Sequence, residues 1–201
     1  TDAYRIELEL FMMNLFRENR PVRELVDANY SFLNEGLKDF YSGYNTTARL
    51  RGRDTPPKVS EKDFIKTAFS DPQRGGILGM GAFLTSTGNG VDPLPIKRST
   101  WILENLLDTP LPPPPDDIDL SEFEVDKTNR LKDRLASHNQ DRACYSCHKK
   151  IDPFAIIMDY YDTIGGVNNN YSADAVRINS QKIRGIDELK VYLSFYEPAI
   201  A

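Results

Sequence analysis

The chain has 201 residues, 40% of them hydrophobic and 10% aromatic, which suits a folded core, as one domain or two small ones, and not a disordered chain. Its formal net charge of -5 argues against nucleic acid or an anionic membrane surface as partner, since both call for an excess of lysine and arginine. The only two cysteines sit too close together to staple a fold, and no run approaches the roughly 18 apolar residues of a spanning helix.

The chain opens at Thr1 with no basic n-region or apolar h-region in view. "YRIELELFMMNLFREN" has helical periodicity, with Ile6, Leu10, Met13 and Phe16 along one face. Pro21 breaks it and suits the first turn of a second helix through "VRELVDANYSFLNEGLKDFY". That helix has Leu25, Val26, Phe32, Leu33, Leu37 and Phe40 as its expected core. "SGYNTTARLRGRDTPPKVS" is polar and punctuated by Gly43, Pro56 and Pro57, so it reads as a surface loop between subregions.

From Arg74 the composition shifts to glycine and small residues, with a short apolar run from Ile77 to Leu84. "KRSTWILENLLD" follows as an amphipathic helix with Trp101, Leu103 and Leu106 or Leu107 inward. Pro112 to Pro115 impose an extended polyproline strap, and the acidic stretch from Asp116 to Asp126 reads as a solvated segment. "TNRLKDRLASHNQDRA" is a helix candidate leading into the cysteines. "DPFAIIMDYYDTIGG" reads as a turn at Asp152-Pro153 and then a short apolar helix ended by Gly165 and Gly166. "IDELKVYLSFYE" gives a last helix, and strand signals are sparse.

"CYSCH" places Cys144, Cys147 and His148 together. A thioredoxin-type dithiol needs a βαβ setting, which the surroundings lack. Zinc needs four ligands; the only further candidate beside these three is His138, and adjacent Cys147 and His148 fit one tetrahedron poorly. Covalent haem needs two thiols three positions apart, each adding to one vinyl group, and an imidazole directly after the second thiol to reach the iron. That order is present, and haem c is the reading favoured over zinc or a redox pair.

The stretches "RGGILGMGAFLTSTGNGVDPLPIKRSTWILENLLDTPLPPPP" and "LASHNQDRACYSCHKKIDPFAIIMDYYDTIGG" resemble planctomycete-type multidomain c-type cytochromes, in which domains of unknown function flank a haem-attachment sequence. The resemblance is carried by Arg74, Gly75, Gly76, Asn89, Gly90, Val91, Pro95, Lys97, Arg98, Trp101, Leu103, Glu104, Asn105, Leu107, Thr109 and Pro110. After the strap it continues with His138, Cys144, Cys147, His148, Asp152, Pro153, Asp162, Ile164 and Gly165. "RENRPVRELVDANYSFLNEGLKDFY" is similar to the family's preceding domain and "IRGIDELKVYL" to the start of its following one. Ala155 stands where the family usually has glycine, Asp159 where it has glutamate, and Leu111 interrupts the proline run.

The resemblance implies one covalent haem c, export to the periplasm or beyond, and electron transfer to a redox partner protein. It also implies a piece of a longer protein, with residues 1–73 ending a preceding domain, 74–166 forming the haem domain and 167–201 starting a following one. The fold expected is mainly α, with helices packed around the haem, long irregular loops and the polyproline strap. His148 is the expected proximal ligand. Met80, between Gly79 and Gly81, is the expected distal one, ahead of an open site, His138 and Met158; Met12 and Met13 read as core filler. Arg98, with Lys97 and Trp101, is the expected partner of the propionates. An electron carrier is favoured over a peroxidase- or oxidase-type enzyme, because "ILGMGAFL" offers no acid-base group, and over a zinc-stabilised interaction module.

Overall fold

A computed structural model of the chain describes residues 2–42, 60–112, 130–139, 142–168, 171 and 174–195. Helices dominate, joined by two small antiparallel sheets. The expected loop at 43–59, Pro113 to Pro115 of the strap and the acidic stretch from Asp116 to Asp126 lie outside the described residues.

Helix α1 (Asp2–Arg17) forms where periodicity places it, but it buries a different face. Ile6, Glu7, Phe11 and Leu15 are buried, while Met13 and Phe16 are exposed. Spacing of four residues from Glu7 through Phe11 to Leu15 makes that stripe contiguous on a helix. The inward turn of an acidic residue is what the periodicity concealed. Ser31 Oγ donates to Glu7 Oε1 at 2.7 Å and Tyr41 Oη to Oε2 at 2.6 Å. The Gly81 amide in turn donates to the Tyr41 oxygen at 2.8 Å, so the buried carboxyl joins three segments.

The expected second helix is three elements. A single turn α2 (Glu24–Asp27) leads into strand β1 (Tyr30–Leu33) and then α3 (Glu35–Tyr41). Tyr30, Ser31 and Phe32 suit a pleated surface, and pairing with β2 (Ile65–Ala68) in antiparallel register from Tyr30–Ala68 to Leu33–Ile65 overrides helix propensity. Asn34 restarts the helix: its side chain accepts from the Leu37 amide at 2.9 Å. Gly76, at φ 62°, lies so close to the 26–28 backbone that a Cβ there would stand 2.0 Å from the Val26 carbonyl oxygen. Glycine is required by that approach.

The centre of the molecule is α5 (Pro95–Asn105) packed on α7 (Arg142–Met158). The short helix α4 (Gly81–Ser86), α6 (Leu131–His138), the hairpin β3–β4 (Val176–Ile178, Gln181–Ile183) and α8 (Gly185–Ser194) surround them. Leu84, Ile102, Ile157, Met158, Tyr161, Ile186 and Leu189 belong to one cluster and are essentially inaccessible. Residues 176–193 therefore share the core of α5 and α7. A hairpin with Asn179 and Ser180 at positive φ is the strand pair that sparse β signals hid.

Helix α7 also runs through Pro153 without the expected turn. A proline in a helix interior loses one backbone hydrogen bond and costs about 3 kcal/mol. Phe154, Ala155, Ile157 and Met158, all buried in the following turn, offset that cost. Ser99 Oγ also donates to the Ile151 carbonyl at 2.6 Å, anchoring the helix to α5 just ahead of the proline.

Burial pushes the Glu7 carboxyl up to about 7, against the lowering effect of its two hydroxyl donors and Arg74. A carboxyl whose folded pKa is raised binds its proton more tightly in the folded state, so stability falls as pH rises from the ordinary carboxylate range through about 7. Chemical denaturation at pH 5 and pH 8 should show wild type losing roughly 3 kcal/mol. Glu7→Gln should lose distinctly less, the remainder coming from other carboxyls raised by burial such as Asp159, and equal loss in both proteins would contradict this account.

Candidate functional site

The motif occupies the first half of α7. On a helix, positions three and four apart lie on one face, so Cys144, Cys147 and His148 form a single stripe about one turn long. Both cysteines are free thiols of intermediate burial, and Cys147 leans on the main apolar cluster. Tyr145, Ser146, Lys149 and Lys150, on the other faces, are exposed. The stripe continues one turn on to Asp152, whose Oδ1 lies 2.7 Å from His148 Nδ1. The two side chains are 19% and 10% exposed.

Arg98 holds this helix in place. Its guanidinium is wholly buried and donates to four carbonyl oxygens: Tyr161 at 2.6 Å, Asp162 at 2.8 Å, Met158 at 3.0 Å and Leu84 at 3.3 Å. One of these carbonyls, Met158, ends α7, two lie in the turn that follows, and the helix dipole favours a cation there. Burial lowers the Arg98 pKa to about 10, and Asp159 and Asp162 oppose the shift. A guanidinium that donates to four backbone oxygens inside the core is a structural clamp on this helix. Trp101 is partly buried, its ring meeting Phe83 edge-on at 4.9 Å, and Lys97 reaches the Ser86 carbonyl at 3.3 Å from the surface.

Met80 is 1% exposed and packs with Phe11, Leu15, Ala28 and Tyr30, a cluster separate from the one that Cys147 touches. The expectation that Met80 faces the haem iron finds no support in that placement. Its flanking glycine has another cause: a Cβ at Gly81 would stand 2.2 Å from the Tyr4 ring. Tyr4 in turn donates to the Ile164 carbonyl at 2.7 Å, tying α1 to the turn after α7. Met158 is fully buried in the main cluster, and the side chain of His138 lies outside the described residues.

Two partners of the motif were missed from sequence. Asp152 matched the family pattern but was read as a turn residue; its place one helical turn after His148 was the available signal. Asn139 carried none, because it arrives from the end of α6. Its Nδ2 donates to Asp152 Oδ2 at 2.5 Å.

The donor set suits haem c. Two thiols share a helix face with an imidazole, and with Nδ1 engaged by Asp152 the nitrogen for a metal is Nε2. Among the described residues no group of three or more His, Cys, Asp or Glu side chains is arranged to hold a metal ion. None of the described helices is long and apolar enough to cross a membrane.

Residues 74–171 match the model of PSCyt3, a protein of unknown function (DUF1588). Residues 1–42 match PSD4, a protein of unknown function (DUF1592). Both are, by name, planctomycete cytochrome-c-associated domains, and neither model is itself a haem-binding family. No curated protein and no solved structure matches the chain.

Replacing Arg98 by alanine removes one charged donor from each of four carbonyls. Arg98→Ala should lower stability by roughly 3 kcal/mol or more in denaturant titration. Met80→Leu, a near-isosteric core change, should cost less than about 1.5 kcal/mol. Equal costs for the two would contradict the roles assigned.

Proposed function

We propose that this chain is a monohaem c-type cytochrome module that carries electrons to or from a partner protein outside the cytoplasm. The observation that supports it is the single helical face bearing Cys144, Cys147 and His148, with His148 already oriented through Nδ1. In attachment each thiol would add across one vinyl group, sulfur to the inner carbon and its hydrogen to the outer one, with no electrons gained or lost. The group so held supplies one-electron exchange between ferric and ferrous iron.

The chain's own residues do the rest. Cys144 and Cys147 would hold the haem through their sulfurs, and His148 would offer it a ring nitrogen. Arg98 and the α5–α7 packing hold that helix rigid, which keeps reorganisation on electron transfer small. Export follows from the motif, because haem c is attached outside the cytoplasm. The cytochrome context of the two matched domain names agrees with this reading.

A second reading, a haem enzyme of peroxidase or oxidase type, is supported by the packing of Met80 with Phe11, Leu15, Ala28 and Tyr30, in a cluster other than the one Cys147 touches. Carbon monoxide separates the two readings. Slow or negligible binding by the reduced protein supports a six-coordinate carrier, and ready binding with peroxide turnover supports the enzyme.

The attachment is tested on protein exported from a host that matures c-type cytochromes. The reduced pyridine adduct should show the spectrum of two saturated side chains, and Cys144→Ala and Cys147→Ala should each shift it toward that of a haem with one vinyl retained. A wild-type spectrum with both vinyls intact would overturn the proposal.

A further inference from the structure

Attachment and ligation need only the two thiols and the imidazole, yet α7 and α6 supply two more polar groups behind His148. Asp152 lies one turn along α7, its Oδ1 2.7 Å from His148 Nδ1. Asn139 stands just past the end of α6, its backbone N–H donating to the Leu135 carbonyl at 2.9 Å. Its Nδ2 donates to the second Asp152 oxygen at 2.5 Å. Helix α6 is itself seated on α7, with Leu131 and Leu135 buried against Ala155. Imidazole, carboxyl and amide thus form one chain across two packed helices.

The direction of that chain is marked by what Asn139 leaves unsatisfied. Its Oδ1 is buried and finds no hydrogen-bond partner. A buried unpaired oxygen is costly, yet turning the amide over would set that oxygen against the carboxyl instead. The amide therefore donates to Asp152. An ionised carboxylate only accepts, so with it the ring proton sits on Nδ1 and the lone pair on Nε2.

We infer that Asp152, steadied by Asn139, is a positioning residue that fixes the tautomer and ring orientation of His148 and makes it a more strongly donating axial ligand, lowering the reduction potential of the bound haem. This inference rests on the haem reading above. The physical cause is the acceptor's charge. An anionic acceptor draws the Nδ1 proton toward itself more than a neutral carbonyl does, leaving more negative charge on the ring, and that charge favours ferric over ferrous iron.

The test is a potentiometric titration of exported, haem-loaded wild type, Asp152→Asn, Asp152→Glu and Asn139→Ala, with intact mass read on each. Asp152→Asn should keep its haem and shift the ferric–ferrous equilibrium about tenfold toward ferrous, about 59 mV for one electron. Asn139→Ala should shift it the same way by less, and Asp152→Glu should restore most of the wild-type value. Should Asp152→Asn fail to fold, Asn139→Ala decides alone. Loaded variants with the wild-type potential would overturn the positioning role and leave the haem reading standing. A wild type with no covalent haem would remove both.

Discussion

One buried cation organises the part of the molecule that matters. Arg98 reaches from α5 into the core and joins the end of α4, the last turn of α7 and the turn that follows it, through four backbone oxygens. Desolvating a guanidinium is costly, and only a full set of acceptors makes such a residue tolerable in a core. The same turn collects other long-range bonds. Tyr4 donates to the Ile164 carbonyl, Arg74 to Gly165 at 2.7 Å, and Tyr161 to the Gln73 carbonyl. The N-terminal layer, the glycine-rich segment and the helical centre thus converge on the end of α7. With that end fixed, the other end of the helix presents its thiols and imidazole in a set direction.

Arg74 has a related part. It lies 4.8 Å over the Tyr41 ring and 5.1 Å over that of Tyr161, between the buried Glu7 site and the α7 turn. Lys190 from α8 donates to the Arg74 and Gly75 carbonyls at 2.5 and 3.2 Å, and burial lowers its pKa to about 8. Three charged side chains, Glu7, Arg74 and Lys190, are therefore used as internal connectors. Glu7, through Tyr41, and Arg74 join the segments at 1–42 and 74–171 that the two family-model matches treat separately, and Lys190 ties α8, outside both, to the second.

Much of the helical content was legible in the sequence, since α1, α5, α6 and α8 follow apolar periodicity and the turn chemistry around them. What escaped were residues whose role depends on a partner far away in the chain. Glu7 looks outward until Ser31 and Tyr41 are seen to satisfy it. β1 looks helical until β2 pairs with it. Pro153 looks like a break until the packing of Phe154 to Met158 is counted. The glycine beside Met80 looked like room for a porphyrin and is room for Tyr4. Arg98, expected as a partner of the propionates, sits in the core, where four carbonyls accept from it. The motif itself was fully legible, being local and set by helical spacing alone; its support by Asp152 was half legible, and that by Asn139 was not.

At the centre of the account stands a covalent bond from each of two sulfurs to one macrocycle. Intact-mass spectrometry of the full chain, exported by a host that matures haem c and then extracted with acidified acetone, tests it most directly. The account expects the polypeptide plus one haem, the pigment staying with the protein. A mass equal to the bare polypeptide, with the pigment lost to the solvent, would contradict it.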